Sequence, residues 1–339
     1  MDQRNGTVLI CGDGVAASCC QWLLSRGGLP VNVQLVHRPR DPAVMLTETT
    51  QKLLSDVFEQ ENLFDGLPRI RKRVVAWGTA SSKPLTLPHS AVVVSEDELF
   101  RRIQRFSTRG AFNLERPAEW TIYTSGPLPV ASVAHEFGSR VATASAVKLR
   151  PGCDHEACWI ESLEKGWLFL LPNSVESGCL LSVGAPVDEL LSESHLIAGQ
   201  VAEATAIAGS FPSHPRIADP LGEPGWIACG TAALRFDPLC GDGTGNAIRE
   251  AILASAVVRA AQSELDVSRL VGHYRAKLLA GFHRHLEHCQ QFYAAGNSGA
   301  WWDAELQSVE RGLEWSARQS REAMPGKFRL NGFTLERLG

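Results

Sequence analysis

Twice in this 339-residue chain an apolar strand pattern runs into a glycine-rich turn and emerges as a helix, which leaves few folds open. Near the N-terminus Thr7-Val-Leu-Ile-Cys11 reads as a buried parallel strand, Gly12-Asp-Gly14-Val-Ala-Ala17 as the turn, and 18–26 as the helix. Residues 31–36 supply a second strand and complete a βαβ unit. The turn is a G-x-G-x-x-A form of the dinucleotide fingerprint: Gly12 and Gly14 admit a pyrophosphate to the backbone, and Ala17 allows close packing of helix on sheet. The acid that normally holds an adenosine ribose after the second strand is missing. His37 and Arg38 stand there instead, so they reach the ribose or phosphate differently or the adenosine half is held more weakly.

The second instance spans 225–252, where an apolar strand passes Asp237-Pro238 into Gly241, Gly243 and Gly245 and then a helix over about 246–261. These glycines can take backbone angles closed to other residues and let the chain approach a flat ring or a phosphate. The positive end of the helix falls at the same place, favouring partial negative charge. An ordinary strand-to-helix turn does not need so many glycines beside a proline.

A net charge of −4 gives no reason to invoke nucleic acid or an anionic membrane. The first residues lack the apolar core of a signal peptide, and no stretch approaches the ~20 apolar residues of a membrane span, so the expectation is a cytoplasmic protein. Nine cysteines, an odd number with several inside expected strands and helices, fit reduced thiols better than a disulfide framework. At 44% hydrophobic residues the chain can bury a large core.

Between the glycine turns the patterns alternate. Helices are expected over 47–58, 96–106 and 190–208, and strands over 71–77, 85–94, 120–124, 142–149, 158–163, 166–171 and 178–184. The implied class is α/β: a Rossmann-like nucleotide-binding domain (1–70, 95–152 and 216–265), an inserted β-sheet substrate domain (71–94 and 153–215), and a helical C-terminal region (266–339).

With the two turns and the segment Glu161-Ser-Leu-Glu-Lys-Gly-Trp-Leu-Phe-Leu-Leu-Pro172 in view, most of the chain resembles the flavin-dependent monooxygenases of the p-hydroxybenzoate hydroxylase fold. Within them it is similar to the branch of tryptophan halogenases and tryptophylquinone-maturation flavoproteins. The resemblance implies FAD as cofactor, held by Gly12, Gly14, Ala17, His37 and Arg38 at one end. At the other end it implies Gly230, Thr231, Asp237, Pro238, Gly241, Gly243, Thr244, Gly245 and Asn246, with the Asp-Pro turn against the isoalloxazine ring. It also implies that the Gly-Trp-x-Phe-x-x-Pro strand walls the substrate side, and that the pocket keeps water from the oxygen-activating flavin.

Two departures from the family pattern stand out. Its Gly-Asp before the Asp-Pro turn reads Gly230-Thr231 here, where a hydroxyl can still hydrogen-bond. The Trp-x-Trp-x-Ile-Pro motif of the halogenases is absent, and neither Lys72 nor Lys83 falls in a context matching their lysine. Glu48 and His89 are the acid/base candidates by position. His285, His288 and Cys289 share helical spacing, but no metal site is expected from them. Cys240 reads as a small residue in a tight turn. Trp301-Trp302 reads as core, or as a cap on an aromatic pocket.

The resulting expectation is an FAD-dependent monooxygenase hydroxylating an aromatic substrate, tryptophan or indole foremost, free or within a peptide or protein. Electrons would come from a flavin reductase or NAD(P)H. The alternatives are a flavin-dependent halogenase and a degenerate flavoprotein acting as a binding or assembly partner, the latter favoured by His37 and Thr231.

Overall fold

The computed structural model describes residues 6–78, 83–104, 117–129, 132–240, 242–263, 266–322 and 328–338. A five-stranded sheet runs in the order Gly222–Glu223, Trp226–Ala228, Trp120–Tyr123, Val8–Cys11, Val31–Gln34. Its last four strands are parallel, as a Rossmann-type α/β fold requires. Helix α1 (Val15–Arg26) follows the first strand, and α2 (Glu48–Phe58) and α3 (Glu96–Gln104) come later in the chain.

The second sheet has eight strands: Val201–Pro212, Val141–Leu149, Ser177–Val183, Gly166–Pro172, Ala157–Leu163, Arg69–Ala76, Leu85–Val94 and Val44–Thr47. All neighbours are antiparallel except Arg69–Ala76 with Ala157–Leu163. Besides the segments expected for it, this sheet takes Val44–Thr47 and Val141–Leu149 from stretches assigned by sequence to the nucleotide-binding part. A three-stranded sheet (Leu234–Arg235, Arg216–Asp219, Val133–Glu136) adjoins the 230–238 segment.

The stretch 190–208, expected as one helix, divides in two. Helix α4 (Val187–Glu193) ends at Ser194, and Val201–Pro212 is a strand on the edge of the large sheet. The cause is Glu161, whose buried carboxylate accepts the amides of His195, Leu196 and Ile197 at 2.9–3.0 Å. Those donors are thereby withdrawn from a continuing helix, and alanine content alone could not reveal it.

Helix α5 (Gly243–Ala260) packs against α1, with the Cys20 and Cys229 thiols 4.0 Å apart in the seam. Helices α6 (Val267–Ala294) and α7 (Ala300–Glu322) form the C-terminal region, which closes with a hairpin of Phe328–Asn331 and Thr334–Arg337. No described helix is long and apolar enough to cross a membrane.

Candidate cofactor and substrate site

Gly12 (φ 131°) and Gly14 (φ 109°) both hold angles that favour glycine. A Cβ on Gly12 would strike Thr124 and the Ser125 amide, whereas on Gly14 it would meet only the Arg38 guanidinium, 3.3 Å away. Gly14 therefore opens onto a cation. Val15, Ala16 and Ala17 are buried, yet α1 has no side-chain cap. A helix N-terminus of that kind, with a guanidinium over it, suits a phosphate.

Arg38 and Arg40 are spread over two buried carboxylates. Arg38 pairs with Glu96 and lies 3.6 Å from Asp13; Arg40 reaches Asp13 at 2.9 Å and stacks 4.1 Å over the Phe100 ring. Burial and then Glu96 push the Asp41 carboxyl upward. His37 is exposed, so of the expected pair only Arg38 covers Gly14. Asp13 and Glu96 were not singled out from sequence. An arriving pyrophosphate would compete with Glu96 for Arg38, so these residues fit a nucleotide while holding its cation meanwhile.

Gly230 (φ 58°) brings the second segment against the first: its added Cβ would lie 3.0 Å from the Ala16 Cβ. The Thr231 hydroxyl donates to the Thr124 carbonyl at 3.2 Å and is therefore engaged within the protein. The Gly230 amide donates to Glu250 of α5 at 2.7 Å. Burial raises this carboxyl from 4.5 to about 8, against a lowering by the Gly230 bond. Between those pH values the folded chain holds a proton the unfolded chain has lost, so stability falls as pH rises through the window. Glu250→Gln keeps an acceptor for Gly230 and has nothing to ionise. It should melt like wild type at about pH 5 and be roughly 1–3 kcal/mol more stable at about pH 8. Thermal melts at both pH values test this; a deficit at both would mean that the carboxylate itself is needed.

The Asp237-Pro238 turn is held from below. Asp237 is buried; its Oδ1 accepts the Leu239 amide at 2.8 Å and its Oδ2 accepts the Tyr293 hydroxyl at 2.8 Å, with Arg140 3.0 Å away. Its own amide donates to His285 Nε2 at 2.9 Å. Burial, followed by Arg140, lowers His285 to about 3, so this ring is neutral and free to accept. Arg140 also pairs with Glu305 of α7 and lies 4.4 Å over the Tyr293 ring. Cys289 contacts His285 at 3.4 Å, and His288 is exposed on another face. Among the described residues no cluster suited to a metal occurs.

One expectation is corrected in the glycine turn that follows. Gly243 and Gly245 lie within α5 and have no positive φ; that angle belongs to Asp242 (φ 109°), while Gly241 lies outside the described residues. Asp242 caps α5 by accepting the Gly245 amide at 3.0 Å, and it also binds the Thr50 hydroxyl of α2 and Arg249. A Cβ on Gly245 would run into that carboxylate, so close approach to the cap, not backbone strain, requires glycine here. Gly245→Val should break the cap and cost about 1–2 kcal/mol, read in a denaturant melt. An unchanged melt would show that Asp242 can move aside freely. Thr244 is half-buried, and Asn246 Oδ1 accepts from Arg249 at 3.2 Å.

The large sheet does not bring Glu48 and His89 together. Glu48, at the exposed start of α2, accepts the Ser90 hydroxyl, whereas His89 projects from the opposite face and lies 3.5 Å from Arg73. On the His89 face Arg73 and Val75 alternate along one strand, and Trp77 follows just past its end. Trp77 makes edge-to-face contacts with Phe292 (6.5 Å) and Trp302 (5.5 Å). Trp302 is core and bonds the Leu163 carbonyl, while Trp301 is half-buried. Trp167 of the Gly-Trp-x-Phe strand donates to Tyr293, whose hydroxyl holds Asp237. The sheet face, the aromatic residues and the Asp-Pro turn thus form one packed assembly. Lys72 pairs with Asp154 at 2.5 Å, and Lys83 is exposed.

No family model matches the sequence, and no curated protein matches it. Among solved structures it is similar to CmlS, a flavin-dependent halogenase: TM-score 0.76 at 16% identity, covering 94% of this chain and 71% of that one. The peptidyl tryptophan dihydroxylase QhpG, essential for tryptophylquinone cofactor biogenesis, gives 0.70 at 16%, covering 98% and 86%. The myxobacterial chondrochloren halogenase CndH, a variant of FAD-dependent halogenases, gives 0.67 at 17%, covering 94% and 90%. The chain has the fold shared by flavin-dependent monooxygenases and halogenases.

Proposed function

We propose that this chain binds FAD and acts as a monooxygenase that hydroxylates an aromatic, indole-bearing substrate, a tryptophan side chain in a peptide or protein being the leading case. The observation that carries the reading is the meeting of Gly230, in the segment that leads to the second glycine turn, with the first turn of α1 at an uncapped helix N-terminus beneath Arg38. Gly12, Gly14, Ala17 and Arg38 would hold the pyrophosphate end; Gly230, Thr231, Pro238, Gly243, Thr244 and Asn246 would line the ring end. Bound FAD, once reduced by a flavin reductase or by NAD(P)H, supplies oxygen activation. The chain's residues would orient the ring and exclude water: the Asp237 network fixes the turn, and Trp77, Trp301 and Phe169 would give the substrate side an apolar wall.

Hydroxylation is preferred to halogenation because Lys72 is tied to Asp154 and Lys83 stands exposed, leaving no described lysine on the Arg73 face of these strands. The peptide substrate is supported by the fold shared with QhpG. The test is incubation of the FAD-loaded protein with reductant, oxygen and a tryptophan-containing peptide. Gain of one oxygen atom by mass, independent of chloride, is expected. A chloride-dependent mass gain would favour the halogenase, and failure to take up FAD would leave the binding-partner reading ahead.

A further inference from the structure

Among the described residues Arg73 is a cation with no carboxylate at hand. It lies half-buried on the large sheet, its Nε is sealed from solvent with no hydrogen-bond partner, and no carboxylate pairs with it among the described residues. Its neighbours are neutral. His89 approaches at 3.5 Å, and the thiol of Cys158, directly across the parallel register, is pushed up by burial against a lowering by Arg73. Burial and then Arg73 lower His89, so the imidazole offers a hydrogen bond without a second charge. A guanidinium half withdrawn from water, with only His89 and the Cys158 thiol as polar neighbours, lacks the carboxylate with which such groups are ordinarily paired.

The surroundings say what could match it. Directly across the antiparallel register from Arg73 and Val75 are Leu87 and Leu85, which remain 41% and 58% exposed. Two residues along the strand stands Val75, and two further, just past its end, Trp77, against Phe292 and Trp302. In the other direction Cys158 packs with Phe169, which also belongs to the core that takes in Phe236 and Leu239 beside the Asp-Pro turn. The cation therefore sits beside a partly open apolar strip of Leu85 and Leu87, on the sheet face whose core packs through Phe169 toward the Asp-Pro turn. The arrangement suits a molecule with a flat apolar body and a carboxylate at one end.

We propose that Arg73, with His89 beside it, is the seat of a carboxylate carried by the aromatic substrate. The proposal rests on the aromatic-hydroxylase reading for its location and adds the charge of the substrate to it. For a peptide substrate, the carboxylate is that of the chain end or of an acidic neighbour of the modified residue.

The test is equilibrium binding by calorimetry, with indole-3-acetate and benzoate as carboxylate probes and their neutral amides as controls. The wild-type protein should bind each acid at least about tenfold more tightly than its amide, since a charge-assisted bond exceeds a neutral one. Arg73→Gln should abolish that preference while leaving the amides unchanged, and Arg73→Lys should retain part of it. Equal affinities for acid and amide in wild type, a preference that survives Arg73→Gln, or no binding of any probe would overturn the proposal. The outcomes separate from the parent reading. FAD uptake and oxygen insertion without an acid preference sink only the seat, whereas an Arg73-dependent preference in a protein that takes up no FAD sinks the hydroxylase and keeps the seat.

Discussion

Gly14→Val should yield a folded protein that no longer takes up FAD, with affinity weakened by two orders of magnitude or more. Gly14 sits at φ 109°, where a β-branched residue is strained by about 1–3 kcal/mol. Its missing side chain is also the space between the first turn of α1 and Arg38: a Cβ would already stand 3.3 Å from the guanidinium, and the valine methyls would reach further into the approach. Phosphate oxygens bound to the helix amides need that same space. Gly14→Ala separates the two effects, because it carries the strain with only one added carbon. Flavin absorbance after incubation with excess FAD and gel filtration reads the binding, and circular dichroism reads the fold. A well-folded Gly14→Val protein that retains FAD as wild type does would remove this turn from the cofactor site.

The parts of the site legible in the sequence are those where chemistry is local. Positive φ at Gly12 and Gly14 follows from a strand-turn-helix written within a dozen residues, and the Asp-Pro turn announces itself the same way. The same local pattern points to Gly243 and Gly245 for the unusual backbone angle, which the structure gives to Asp242 instead. Spacing marks a glycine-rich turn, but only packing shows that Asp242 takes the left-handed angle while Gly245 makes room for its carboxylate. Long-range pairs left no local trace. Arg140 and Glu305 are 165 positions apart, Tyr293 and Asp237 are 56 apart, and Arg38 meets Glu96 across 58. Each is one charged or aromatic residue on its own element, indistinguishable from a surface residue until the fold brings the partners together. The strand Val201–Pro212 failed differently. A helix-forming composition was overridden by a carboxylate 34 to 36 positions earlier that captured the amides. Where the sequence lacks an acid after the second strand, the structure brings buried Glu96 to Arg38 from a distant helix.

The second large effect concerns the charges beneath the Asp-Pro turn. Arg140, Asp237 and Glu305 are all buried, one cation serving two carboxylates, and they tie α6 and α7 to the turn. Removing the cation strands both anions in the interior, and breaking a buried pair from one side costs about 3–5 kcal/mol. Arg140→Gln should therefore lose that much in a denaturant melt at neutral pH. The loss should also depend on pH. Burial already raises Asp237 while Arg140 opposes the rise. Without Arg140 the folded-state carboxyl moves further above its unfolded value, so the folded variant binds more protons than the unfolded chain, and stability falls as pH increases from the unfolded carboxyl range upward. The deficit should be smallest near pH 5 and grow toward pH 8. Glu305→Gln in the same chain should recover part of it, because one fewer anion is left without a partner. A deficit below about 1 kcal/mol, or one that shrinks as pH rises, would mean that the two carboxylates do not depend on Arg140 and that the turn is held by Tyr293 and His285 instead.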